Sequence, residues 1–142
     1  MQMLIKNVLL ILIVAVLITT SLDATQQKPE NKGTSIQQLM KEREQILQKL
    51  VDIVKEKYNQ GNSSLNLVFA AERELLDAQL ASATNLRQRI VIRELQLRLA
   101  KDHEQHVVQR IKQGFDSRED LMRAIANRLI AEIELLREKK QA

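Results

Sequence analysis

Residues Gln60–Leu80 read QGNSSLNLVFAAERELLDAQL, and residues Gln113–Ile133 read QGFDSREDLMRAIANRLIAEI. The two stretches match at an offset of 53 residues, in the pattern Q-G-x-x-S-x3-[VL]-x2-A-x4-L-x-A-x-[LI]. Gly61 and Gly114 can take the left-handed conformation that ends a helix. Ser64 and Ser117 stand where a hydroxyl accepts from the free N–H groups of a new helix. Ala71 and Ala124, then Ala78 and Ala131, are small residues one heptad apart that let paired helices approach closely. A helix end, a short turn and a fresh helix start, occurring twice, predict two antiparallel helical hairpins.

Working outward, Ile36, Leu39/Met40, Ile46/Leu47, Leu50, Ile53/Val54 and Tyr58 recur at helical spacing, with Arg43 as the polar interruption. Thr34-Ser35-Ile36-Gln37-Gln38 offers a capping-box start. The second helix is expected over about 64 to 83, with a stripe of Leu65, Val68, Ala71, Leu75, Ala78 and Ser82. Leu67, Leu76 and Leu80 are offset from it and hint at a second contact face. A break near Thr84-Asn85 leads to a third helix over about 86 to 113. Asp116 and Ser117 are placed to cap the fourth, whose expected face is Leu121, Ala124/Ile125, Leu129, Ile133 and Leu136. Glu119 and Asp120 suit its positive end, and Arg137, Lys139 and Lys140 its negative end. The expected fold is all-α: two consecutive hairpins of four amphipathic, coiled-coil-like helices, at 34–84 and 85–142.

Composition agrees. Three Gly and one Pro in 142 residues leave little turn chemistry. Tyr58, Phe69 and Phe115 are the only aromatics, so the seams must be aliphatic and Ala-rich. The absence of Cys removes thiol nucleophiles, disulfides and a lipid-bearing cysteine. The net charge of +4 raises the question of nucleic acid. Three of the 22 Lys/Arg and two of the 18 Asp/Glu lie before residue 34, so 19 and 16 remain in the helical part, mostly interleaved. Arg87, Arg89, Arg93, Arg98 and Lys101 form the main excess, partly offset by Glu94 and without an aromatic platform. Nucleic acid is not an expected partner.

At the N-terminus, Lys6 precedes the apolar run Val8–Ile18 (VLLILIVAVLI) and the small polar exit Thr19–Ala24. Eleven helical residues reach roughly 17 Å, short of a hydrocarbon core of about 30 Å. Residues 1–24 therefore read as a secretory signal, or as an anchor through residues 8–22 if uncleaved, and 25–33 as a flexible linker. Either way the helical body is expected outside the cytoplasm, in the periplasm or cell envelope.

Lys57-Tyr58-x-x-Gly61-x-x-Ser64-x3-Val68-x2-Ala71-x3-Leu75-x2-Ala78 resembles the signature found in each half of TolC-type outer-membrane efflux proteins. Arg110-x3-Gly114-x-Asp116-Ser117-x2-Asp120-Leu121-x2-Ala124 resembles it too, with Ile111 in place of the Tyr. The resemblance implies a turn at the periplasmic tip of each hairpin, where it would meet an adaptor protein. The implied contact residues are Gln60, Gly61, Asn62, Gln113, Gly114 and Phe115. Phe115 is either a staple folding back on its own helices or an exposed anchor for a partner. The family's barrel strands have no counterpart here, because residues 84–88 join the repeats directly. The expectation is a hairpin-only relative rather than a pore.

His103 and His106 are three residues apart on one helix, a spacing that can bring two imidazoles to one metal ion. The further ligands a site needs are not evident, and His106 also falls on the heptad line of Ile92 and Leu99. No catalytic motif or nucleotide-binding loop is present, so neither enzyme activity nor a cofactor is expected. The leading expectation is an exported protein acting through protein–protein contact with envelope partners, an efflux adaptor or a second copy of itself. The alternatives are a periplasmic helical chaperone or metal-stress sensor, and a membrane-anchored coiled-coil spacer.

Overall fold

In a computed structural model, the described residues are 35–141, so the signal or anchor at 1–24 and the linker at 25–33 lie outside them. Four helices follow in order: α1 (Ile36–Asn59), α2 (Leu65–Ser82), α3 (Leu86–Lys112) and α4 (Arg118–Lys139). Their starts are set by side-chain caps. Ser35 Oγ accepts from the Gln38 N–H at 3.2 Å while Gln38 Oε1 accepts from the Ser35 N–H at 2.9 Å. Ser117 and Asp120 repeat that reciprocal box at 3.1 and 2.9 Å. Ser64 caps α2, and Asn85 caps α3 after an extended Ala83 ends α2. Among the described residues, no helix is long and apolar enough to cross a membrane.

The helices pack strictly in sequence: α1 on α2, α2 on α3, and α3 on α4. Each pairing is antiparallel. Lys55 reaches Glu72 between α1 and α2, Gln96 reaches Asp77 between α2 and α3, and Arg93 reaches Glu134 between α3 and α4. The all-α expectation of two consecutive hairpins holds. Helices α1 and α4 do not pack on each other, so the array stays open and does not close into a bundle. Both glycine turns consequently lie at one end of the array.

The apolar seams differ from the expected faces on the two outer helices. On α1 the inward residues are Met40, Leu47, Val51 and Val54, with Val51 only 3% exposed. Ile36, Leu39, Ile46, Leu50, Ile53 and Tyr58 are exposed instead. The expected single face is two neighbouring heptad stripes, of which α2 covers one. On α4, Ala124, Leu135 and Glu138 are buried, whereas Leu129, Ile133 and Leu136 are exposed. Stepping by four residues from Ile125 to Leu129 to Ile133 advances about 40° beyond a full turn each time, which carries that line round to solvent. The α2 stripe stands as read, with Val68, Ala71, Leu75 and Ala78 all buried. Lying between α1 and α3, α2 has a second contact face, but of the offset leucines only Leu76 and Leu80 are half-buried, while Leu67 is 57% exposed.

The 53-residue offset exposes an exchange between the hairpins. In the first, Val51, Ala71 and Leu75 form an apolar cluster. The equivalents of Val51 and Leu75 in the second are Glu104 and Arg128, which form an ion pair at 2.6 Å. Conversely, Lys55 and Glu72 form an ion pair at 2.6 Å in the first hairpin, and their equivalents are Val108 and Ile125, both half-buried. The α3–α4 seam is charged along much of its length. Arg89 Nε lies 3.0 and 3.1 Å from the two carboxylate oxygens of Glu138, itself only 4% exposed, and Arg93 holds Glu134 at 3.2 Å.

Replacing Arg128 strands Glu104 and also frees Glu132, which Arg128 holds at 3.1 Å, and replacing Glu104 removes the cross-helix partner of Arg128; replacing both puts apolar residues where the first hairpin has Val51 and Leu75. Glu104→Val and Arg128→Leu singly should each cost about 1–3 kcal/mol in urea unfolding, and the double variant should recover most of that loss.

Candidate interaction surface at the hairpin turns

Each turn is closed by the same set of backbone hydrogen bonds. In the first, the Asn62 N–H donates to the Lys57 carbonyl at 2.8 Å and the Gly61 N–H to Tyr58 at 2.9 Å. In the second, the Phe115 N–H donates to Arg110 at 2.9 Å and the Gly114 N–H to Ile111 at 3.0 Å. Both are Schellman closures, in which the last helical carbonyls are satisfied by a chain that reverses through a left-handed residue. Gly61 has φ +75° and Gly114 φ +79°. Gln60, Gly61, Asn62, Gln113, Gly114 and Phe115 are all exposed, so the structure brings the six expected tip residues to the surface at one end.

Phe115 is 68% exposed, with its ring 5.4 Å from the Arg110 guanidinium carbon. Arg110 Nε in turn donates to Asp116 Oδ1 at 2.8 Å. The aromatic thus rests on a positioned cation while keeping most of its surface free. Asp116 does not cap α4 as expected. Ser117 does so, in its box with Asp120, and Asp116 ties the turn back to α3; the second carboxylate oxygen of Asp116 is buried without a hydrogen-bond partner. The sequence reading places Arg110 and Asp116 in the turn motif without pairing them, although opposite charges bracketing a helix-ending glycine are a usable signal.

Behind the turns, His103 and His106 are half-buried beneath Phe69 of α2, with ring centroids 4.9 and 5.9 Å away. The helical spacing brings the two imidazoles to one aromatic ring. Among the described residues, no group of three or more His, Asp or Glu could hold a metal ion. Burial, His106 and Arg73 all press the His103 pKa below its ordinary value, against the opposing pull of Asp116. Burial and Arg110 do the same to His106. Both rings are therefore held towards the neutral form.

The packing alanines take the expected places. Ala71, Ala78 and Ala124 are buried and Ala131 is half-buried. A cleft of about 510 Å³ runs along α3 between α2 and α4, lined by Phe69, Arg73, Leu99, Arg123, Asn127 and Ile130 among others. Of the basic run of α3, Arg89 meets Glu138 and Arg93 meets Glu134, while Arg87, Arg98 and Lys101 are exposed.

An added Cβ at either glycine would meet nothing within 4 Å, so the cost of alanine is conformational. Gly61→Ala and Gly114→Ala should each destabilise by about 1–2 kcal/mol in chemical denaturation without altering helix content. The histidines give a pH dependence of defined sign. Their folded-state pKa values lie below the ordinary 6.5, so the unfolded chain binds more protons as the pH falls below that value. Thermal stability should be retained above about pH 6.5 and decline towards about pH 5, and a His103→Gln/His106→Gln variant should flatten that part of the profile.

No family model, curated protein or solved structure matches the chain.

Proposed function

We propose that this chain is an exported, non-catalytic hairpin protein of the cell envelope that works by protein–protein contact through its Gly61 and Gly114 turns. In this reading the turns meet the helical hairpins of an adaptor, as the tips of TolC-type proteins do. The observation that supports it is the pair of identically closed turns at one end of the array, with exposed Asn62 and Phe115 at equivalent positions. A turn held by its own backbone hydrogen bonds loses little conformational freedom on binding, which favours affinity from a small contact. Phe115 over Arg110 supplies an aromatic anchor of the kind that dominates interface energetics. Export rests on residues 1–24, with residues 8–22 as the membrane anchor if the segment is retained. A periplasmic chaperone is the second reading, favoured by the exposed Met122, Leu129, Ile133 and Leu136 on α4.

A photo-crosslinking amino acid placed in the full chain at Asn62, Phe115 or Leu129, in cells with an intact envelope, separates the two. Tip positions should give one discrete product containing an identified envelope protein with a helical hairpin. Phe115→Ser should weaken that product about tenfold or more at unchanged thermal stability. Absence of tip products, or heterogeneous capture through Leu129, would overturn the tip-contact reading, the latter in favour of the chaperone.

A further inference from the structure

The open edge of α1 carries a stripe that is apolar, exposed and, among the described residues, unpartnered: Ile36, Leu39, Ile46, Leu50 and Ile53 are 38–76% exposed. Their spacing alternates between three and four residues if Arg43 is counted as a member, giving the a and d positions of a heptad seam about 26 Å long. We propose that this stripe is a self-association surface, and that its occupant is the α1 helix of a second copy packed antiparallel across a two-fold axis.

The residue order selects that occupant. In an antiparallel pair, a positions face d positions. One register sets Ile36 against the second copy's Ile53, Leu39 against its Leu50, and Arg43 against its Ile46, with the same pairs repeated by symmetry. Every a and d residue from 36 to 53 then has a partner, and the two Arg43 side chains occupy the central layers, where one polar residue fixes register. The flank of the stripe away from α2 carries Glu42, Lys49 and Glu56. In this register Glu42 stands opposite the second copy's Lys49, and Lys49 opposite its Glu42. A shift of one heptad in one direction sets Glu42 against Glu56 and Lys49 against Lys49, and in the other direction Glu42 against Glu42. Parallel packing places Arg43 on Arg43 and Lys57 on Lys57. Charge complementarity therefore singles out one arrangement, and a two-fold contact of this kind closes at a dimer. The exposed stripe on α4 offers no such self-match, since its free flank carries Arg123, Ile130 and Arg137.

The test uses the full chain in mild detergent, with mass measured by light scattering and register by disulfide trapping, for which the chain has no cysteine of its own. A dimer is expected, and Leu39→Cys/Leu50→Cys should trap it quantitatively, whereas Leu39→Cys/Ile53→Cys should not. Glu42→Lys should raise the dimer dissociation constant about tenfold, and Glu42→Lys/Lys49→Glu should restore it, because both cross-pairs are then reversed together. These substitutions lie on an exposed face, so the fold is expected to survive, and circular dichroism checks it. A monomer would overturn the proposal. So would a dimer indifferent to Glu42→Lys, or open-ended oligomers from α1 packing on α4 of another copy.

Discussion

Two glycines in the left-handed conformation, each satisfying the carbonyls of the helix it ends, are the constraint on which the rest of this molecule depends. Once Gly61 and Gly114 reverse the chain, α2 must run back along α1, and α4 back along α3. The short link through Ala83–Asn85 then lays the second hairpin beside the first. The helices are too long and too rich in charge to hold themselves in these places by propensity alone. The turns fix direction, and the seams fix depth. Ala71, Ala78 and Ala124 allow close approach, while no large side chain among the described residues is fully enclosed. The result is a thin array whose outer helices each keep an apolar stripe in solvent.

The exchange of an apolar pair for an ion pair between the hairpins bears on how a sequence with two similar halves avoids pairing with itself wrongly. Were α1 to pair with α4 in the hairpin register, Val51 would face Arg128; were α3 to pair with α2 that way, Glu104 would face Leu75. Either mismatch sets a half-buried charge against an apolar side chain and removes its cross-helix partner, which is destabilising. The reciprocal substitution at Lys55–Glu72 and Val108/Ile125 penalises the same errors a second time. Such repulsive elements give specificity where two halves share turns, caps and small residues.

The legible parts were those decided by local chemistry. The box at Ser35, the cap at Ser117 and both glycine turns depend on residues within one or two turns of each other, whereas Asp120, read as a charge on the helix dipole, also closes a box with Ser117. The faces of α1 and α4 were not legible, because each helix carries two apolar stripes and periodicity cannot say which one a neighbour covers. Placement of the tip residues followed from the turns, whereas the role of Asp116 did not. An acidic residue just before a serine reads as a cap until Arg110, one helix back, is seen to hold it. The histidine pair was noticed for metal chemistry, but the ring that covers it, Phe69, comes from another helix.

The open arrangement of the four helices underlies the exposed stripes, the aligned turns and the proposed pairing of copies, so the separation of α1 from α4 is the quantity to measure. Lys41 on α1 and Arg137 on α4 are both exposed and lie towards the end opposite the turns. Nitroxides attached at cysteines in those two positions, in full chain diluted with unlabelled protein, report that distance within one molecule by pulsed electron resonance. An open array gives a single population well beyond the roughly 8–10 Å axis spacing of packed helices. Collapse of the distribution to contact range would mean that α1 and α4 close a bundle, and would contradict the arrangement described.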